Sequence, residues 1–192
     1  ELIILISSFN ILLSFALPNG LTVKDDVFIA TFWVSLAAGS FLSAATVFER
    51  DAQAGRLELL SMLPCGLERA LLAKYCVFAL LLFTAIIVVT PLIMLNINVE
   101  RPWQWLLGLG AASLSLAAIT YVTASFTSGT GKGVAFLGLI SMPLIVPIII
   151  FGAAYMRQTE LWHETLSFLV AYAMIVIPIA CMAAASSIRA SF

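Results

Sequence analysis

TVFERDAQAGRLELLSMLPCG, residues 46–66, carries five charges within ten positions: Glu49, Arg50, Asp51, Arg56 and Glu58. The whole chain of 192 residues holds only nine basic and ten acidic side chains. The stretch is a polar island, and what surrounds it decides the fold. On either side the sequence is almost unbroken apolar: 62% of residues are hydrophobic and the mean hydropathy is +1.12. Charged residues make up 10%, against about 25% in an average soluble domain. A soluble domain with so few charges could not cover its own apolar surface. The chain therefore reads as an integral membrane protein.

Working outward from the island, apolar runs between charge or turn clusters fall at about 1–17, 27–48, 72–95, 103–126, 134–156 and 165–188. Backbone in lipid must satisfy its own hydrogen bonds, so runs of this length are helices. The expectation is an all-α, polytopic membrane protein with six transmembrane helices. Connectors fall at 18–26, 49–71, 96–102, 127–133 and 157–164, and only the one containing the island is long. The first run is shorter than the roughly 20 residues that a span needs. A further N-terminal cytoplasmic segment is therefore expected ahead of residue 1. Residues 1–192 read as one transmembrane domain.

Six spans put connectors 49–71 and 127–133 on the same side as the C-terminus. That side carries Arg50, Arg56, Arg69, Lys74, Lys132 and Arg189, and the other carries Lys24, Arg101 and Arg157. The basic excess places the island in the cytoplasm. The spans hold no Asp, Glu or His at mid-helix depth, which argues against an ion-coupled pump, because such pumps need ionisable groups inside the membrane. The net charge of −1 offers nothing to nucleic acid. Cys65, Cys76 and Cys181 have no metal-binding or redox spacing, so no metal site is expected. No HExxH, Ser/His pair or paired carboxylates mark an intramembrane enzyme.

Inside the island, Leu57, Leu60, Met62 and Leu63 form an apolar stripe at roughly helical spacing, with Arg56 and Glu58 off it. This reads as a short helix at the membrane surface that ends at Pro64, because proline cannot continue a helix. LERALLAK (67–74) reads as a second amphipathic piece feeding the next span. Gly55 permits a turn or a close backbone approach.

FERD (48–51), Gly55, LELL (57–60), Pro64 and AK (73–74) together resemble the CcmB family. The likeness continues in PLIMLN (91–96), MPLIVPIIIFGAA (142–154) and IPIACMAAASSIRASF (177–192), and so covers nearly the whole chain. These proteins are permease subunits of the ABC-type complex of cytochrome c maturation. The resemblance implies an ABC-2-like permease that is not itself an enzyme. It would sit in a bacterial inner membrane or the mitochondrial inner membrane, with both termini on the cytoplasmic or matrix side. It implies partners: an ABC ATPase subunit (CcmA-like) that binds ATP, haem-handling membrane subunits (CcmC-like and CcmD-like), a haem chaperone (CcmE-like) and a second copy of the chain. Haem would be cargo of the complex. The island, 49–71, becomes a cytoplasmic coupling loop in which Glu49, Arg50, Asp51, Gly55, Arg56, Glu58 and Pro64 meet the ATPase. The alternative on the same architecture is a permease for a drug or polysaccharide.

Other features are weaker. SGTGKG (128–133) has Phe126 where a phosphate loop needs glycine, and Gly133 where it needs Ser or Thr, so it reads as a turn. His163, in LWHE beside Trp162, could ligate haem iron while the indole stacks on a porphyrin. Between Glu160 and Glu164, with no second histidine in the chain, it reads as a solvated loop residue. Pro143 and Pro147 share one face of the fifth span, and each removes a helix hydrogen bond. A kinked or locally opened helix is expected there, either a hinge or a static kink sealed by neighbouring helices. Small residues at Ala37–Ser40, Gly108–Ala112 and Ala183–Ser187 mark close helix contacts. Trp103 and Trp105 read as interfacial anchors.

The orientation is checked by cysteine labelling in a background lacking the native thiols. Gln53→Cys should stay protected from an impermeant maleimide added outside, and Gln158→Cys should react. The opposite pattern would invert the topology.

Overall fold

The computed structural model describes residues 2–16, 24–55, 67–94, 102–127, 134–157 and 162–191. They form six helices: α1 (Leu2–Ala16), α2 (Lys24–Gln53), α3 (Leu67–Met94), α4 (Pro102–Thr127), α5 (Val134–Arg157) and α6 (Trp162–Ser191). Among the described residues there is no strand. Four stretches are long and apolar enough to cross a membrane: Asp25–Asp51, Arg69–Pro91, Trp103–Phe126 and Trp162–Ser186. Ser141–Arg157 in α5 is a shorter apolar helix. With its 15 residues, α1 rises about 22 Å, less than the roughly 30 Å hydrocarbon core. The chain is an all-helical, multi-pass membrane protein.

Helix ends differ most from the expectation at the island. There α2 runs on through Glu49–Gln53 instead of stopping at Phe48, and α3 begins at Leu67, so LERALLAK is its first two turns. Glu, Arg, Ala and Gln are good helix formers, and Arg50 in the last turn favours the negative end of the helix dipole. The N–H of Ala54 makes a last 3.1 Å bond to the Arg50 carbonyl, and Gly55 then turns left-handed at φ 65°. Only glycine adopts this conformation without strain, and it ends many helices. The expected surface helix, on the stripe Leu57 to Leu63, follows this turn. It lies outside the described residues with Arg56, Glu58 and Pro64, as does SGTGKG.

The centre of the fold is α4. It packs against α2, α3, α5 and α6, most extensively against α6, while α1 rests on α2 and α3. Between Gln104 and Ser125 it is buried on nearly all sides, the pattern of a helix in the middle of a bundle. Its buried serine and threonine hydroxyls do not break the apolar interior, because these donate to a carbonyl three or four residues back. Ser113 bonds Gly110 at 2.7 Å, Ser115 bonds Ala111 at 3.3 Å, Thr120 bonds Leu116 at 2.9 Å and Ser125 bonds Val122 at 2.7 Å; Thr123 bonds Ile119 likewise.

Small residues let rings sit directly on backbone. A Cβ at Gly108 would overlap the ring of Tyr155 on α5, whose hydroxyl donates to the Gln104 carbonyl at 2.6 Å. A Cβ at Gly152 of α5 would overlap the indole of Trp33 on α2. All three small-residue clusters expected to mark contacts have buried members: Ala37 and Ser40, Gly108 and Ala112, and Ala184 and Ala185.

Two readings are corrected. Trp105 is only 7% exposed and belongs to the core, while Trp103, 54% exposed, keeps the position of an anchor. Successive side chains on a helix point about 100° apart, so residues two apart diverge. His163 lies in the first turn of α6 instead of a loop, with its carbonyl accepting from Ser167 Oγ at 2.7 Å. α5 is helical through Pro143 and Pro147, so any bend there lies within a continuous helix. Each proline forfeits only one donor, and the neighbouring bonds carry the helix across. The hydroxyl of Tyr172 on α6 also donates to the Leu144 carbonyl at 2.7 Å.

Gly152→Ala should destabilise the bundle by about 1–3 kcal/mol, the usual cost of overfilling a packed site. Gly110→Ala should cost less, since its Cβ would meet Phe83 at 3.3 Å, at the tip of a half-buried side chain. Heat-induced unfolding in detergent, followed by tryptophan fluorescence, measures both.

Candidate functional site: the polar end of the second helix

The last turns of α2 divide into two faces. Ala44 and Phe48 are buried, and Asp51, one turn on, follows the same stripe inward. Glu49 and Arg50 are exposed, as are Gln53 and Ala54 beyond them. The three charges of FERD thus point in different directions. Glu49 and Arg50 face away from the protein, and Asp51 faces α3.

Across from Asp51 stands Lys74, and the two form an ion pair with side chains 14% and 20% exposed. The Lys74 ammonium also lies 4.4 Å from the centroid of the Phe48 ring. An ammonium over an aromatic face is attracted by the ring quadrupole, more strongly where water is scarce. One cation thereby touches both the polar and the apolar side of the α2 stripe.

Behind this pair the aromatic rings of three helices converge. Tyr121 of α4, 1% exposed, meets Phe48 edge-on at 4.8 Å between centroids and Tyr75 of α3 at 6.0 Å. Its hydroxyl donates to the Leu71 carbonyl on α3 at 3.0 Å. Tyr75 answers in the other direction, donating to the Leu114 carbonyl on α4 at 2.9 Å. Edge-to-face contact is the favoured geometry for such rings. Both phenols find acceptors, as buried hydroxyls must.

Of the residues expected to couple to an ATPase, Glu49 and Arg50 stand outward, Asp51 is turned inward, and Gly55 supplies the terminating turn. Lys74, Phe48, Tyr75 and Tyr121 were missed as site residues. A signal existed for Lys74: it follows Leu71 by three residues, as Asp51 follows Phe48, on the ends of two adjacent spans.

The far end of the bundle is built differently. Arg157 and Asp26 pair at 2.8 Å, but both are nearly half exposed (46% and 49%), where such pairs contribute little. Trp162 stacks on His163 at 3.4 Å and meets Trp103 edge-on at 5.9 Å. His163 is exposed, Cys76 is exposed and Cys181 is buried. Among the described residues no three His, Cys, Asp or Glu side chains group to hold a metal ion. An apolar groove of about 310 Å³ opens sideways between α3 and α4, lined by Tyr75, Leu80, Phe83 and Leu114 among others.

Phe48→Ala should cost about 3–5 kcal/mol through lost packing. Tyr121→Phe should cost only about 0.5–1.5 kcal/mol through one lost hydrogen bond. Unfolding midpoints of the detergent-purified protein give the order; a larger loss in Tyr121→Phe would mean that the phenol bond, not ring packing, holds this end together.

The family described as CcmB protein matches the chain over residues 3–191. The chain is 29% identical over 164 residues to the Heme exporter protein B of Paracoccus denitrificans, a match covering 82% of this chain and 74% of that protein. It is 27% identical over 191 residues to the protein of the same name from Bradyrhizobium diazoefficiens, covering 93% and 83%. A third Heme exporter protein B, from Haemophilus influenzae, is 28% identical over 131 residues, covering 67% and 59%. With the match running across nearly all of its spans, the chain belongs to the CcmB protein family.

Proposed function

We propose that this chain is the membrane permease subunit of an ATP-driven haem-export complex in cytochrome c maturation. Its own part is mechanical. It receives the motion of a separate ATPase and passes it through the bundle to haem delivery, or to release of a haem-loaded chaperone, on the opposite side. Membership in the CcmB family and the names of the relatives support haem as cargo. One structural observation supports the mechanical reading: two exposed opposite charges, Glu49 and Arg50, ride on the end of a 30-residue helix whose other face is fixed to its neighbours.

A soluble ATPase moves a membrane helix only through a rigid connection. In this reading the loop 49–71 is the cytoplasmic coupling segment, in an inner membrane crossed six times with both termini on the ATPase side. Glu49 and Arg50 begin the docking surface, and Arg56 and Glu58 extend it. Charges at such a rim steer encounter and set register more than they add raw affinity. Gly55 lets the chain leave α2 sharply, and Pro64 closes the segment. Pro143 and Pro147 make α5 the helix most easily bent, since each lacks a backbone bond. The partners are the ATPase subunit, haem-handling membrane subunits, the haem chaperone and a second copy of this chain.

The test is co-purification. Glu49→Lys combined with Arg50→Glu, and separately Glu58→Lys, should lower recovery of the ATPase subunit with tagged permease by roughly tenfold, the scale of about 1.4 kcal/mol. Permease levels in the membrane should not change. Full ATPase recovery in both variants would overturn the assignment of this loop to docking.

A further inference from the structure

We infer that Asp51 and Lys74 form a clasp that joins α2 and α3 into one lever with α4, so that motion received at Glu49 and Arg50 reaches the central helix. The inference rests on the reading of this end as the place where an ATPase docks.

The clasp sits where packing is sparse. α2 packs well on α4 and α5, and α3 packs well on α4, but α2 and α3 touch each other only slightly. Pushed at its end, α2 could therefore slide past α3 with little loss of van der Waals contact. The Asp51–Lys74 pair spans that gap, with both side chains mostly shielded. Phe48, one turn before Asp51, extends the link, because the Lys74 ammonium lies over its ring. Tyr121 then ties both helices to α4, through the Phe48 ring on one side and the Leu71 carbonyl on the other.

The chemistry suits transmission better than simple cohesion. Apolar side chains sliding on one another pass through many nearly equal arrangements. A shielded ion pair has two, made and broken, and breaking it leaves charges with poor solvation. A lysine at the end of a span would ordinarily extend its ammonium toward water or headgroups. Lys74 instead lies over Phe48 against Asp51, one residue along α2 from Arg50. Asp51 and Lys74 are in this sense positioning residues: neither needs to touch the ATPase or haem.

A charge-swap cycle in the complete complex tests this. Strains carry only the Asp51→Lys, Lys74→Asp or doubly swapped permease, with Asp51→Asn as a variant gentler on folding. Four quantities are read: permease abundance, ATPase subunit recovered, ATP turnover of the purified complex, and haem-stained mature c-type cytochrome per permease. Each single variant should keep ATPase recovery and turnover within about twofold while cytochrome yield falls roughly tenfold, a coupling of the size that contacting residues show. The double swap should restore most of the yield. The clasp is refuted if Asp51→Lys and Asp51→Asn both keep full yield, or if the double swap is no better than the worse single. It is also refuted if Asp51→Lys strips the ATPase from the complex, since Asp51 would then be a docking residue. Failure of the docking assignment reads separately, on the Glu49/Arg50 reversal, and leaves the rescue by the double swap to report on the clasp.

Discussion

In lipid, apolar side chains gain little by exchanging acyl chains for a neighbouring helix, so a membrane bundle depends on close packing and on polar ties. Here both meet on α4. Its buried serine and threonine hydroxyls are consumed within its own backbone, and its glycine at 108 lets a tyrosine ring lie against the helix. The surrounding helices gather where α4 allows them to approach. Those farther from it, α1 above all, carry large apolar side chains such as Ile4 and Leu12 on their outer faces. A fold built in this way has a stiff centre and a periphery that meets lipid.

The two ends of the bundle differ in how their charges are used. At the far end Asp26 and Arg157 meet in the open, where water weakens their attraction and either can be exchanged for solvent. At the island end the corresponding pair is shielded and is joined to three aromatic rings. A shielded pair imposes a registration on the helices that bear it, and an open one does not. The end that carries the outward charges is therefore also the end at which the helices are fixed to one another.

Much of this was readable in the sequence. The apolar runs place the six helices of the described residues, because helices in lipid satisfy their backbone internally and so announce themselves by apolar length. The ends were less readable at the island, since charge was taken to end a span, whereas Glu49–Gln53 are good helix formers and continue α2 to the glycine that stops it. Gly108 and Gly152 could be recognised as sites of close approach, but not the rings that fill them, because Tyr155 and Trp33 lie on other helices. The same limit hid Lys74. FERD reads as three charges of one kind of use, and only the three-dimensional contact with a residue 23 positions away separates Asp51 from its neighbours. Trp105 illustrates it once more: two residues from Trp103, it has the same chemistry and the opposite environment.

That separation bears on why so polar a stretch should interrupt so apolar a chain. A docking surface requires charge that faces outward, and a lever requires that the same helix be gripped from within. One turn of helix meets both demands, because Glu49 and Arg50 point away from the stripe that Phe48 and Asp51 follow. The glycine that ends α2 comes four residues after Asp51. Ending α2 before Phe48 would leave Asp51 on flexible chain, unable to hold Lys74 in register. Extending it well past Gly55 would put Arg56 and Glu58 on a longer arm beyond the grip. On the proposed reading, the length of helix between Phe48 and Gly55 answers two opposed mechanical requirements, and the charges of the island fall within it and just after it.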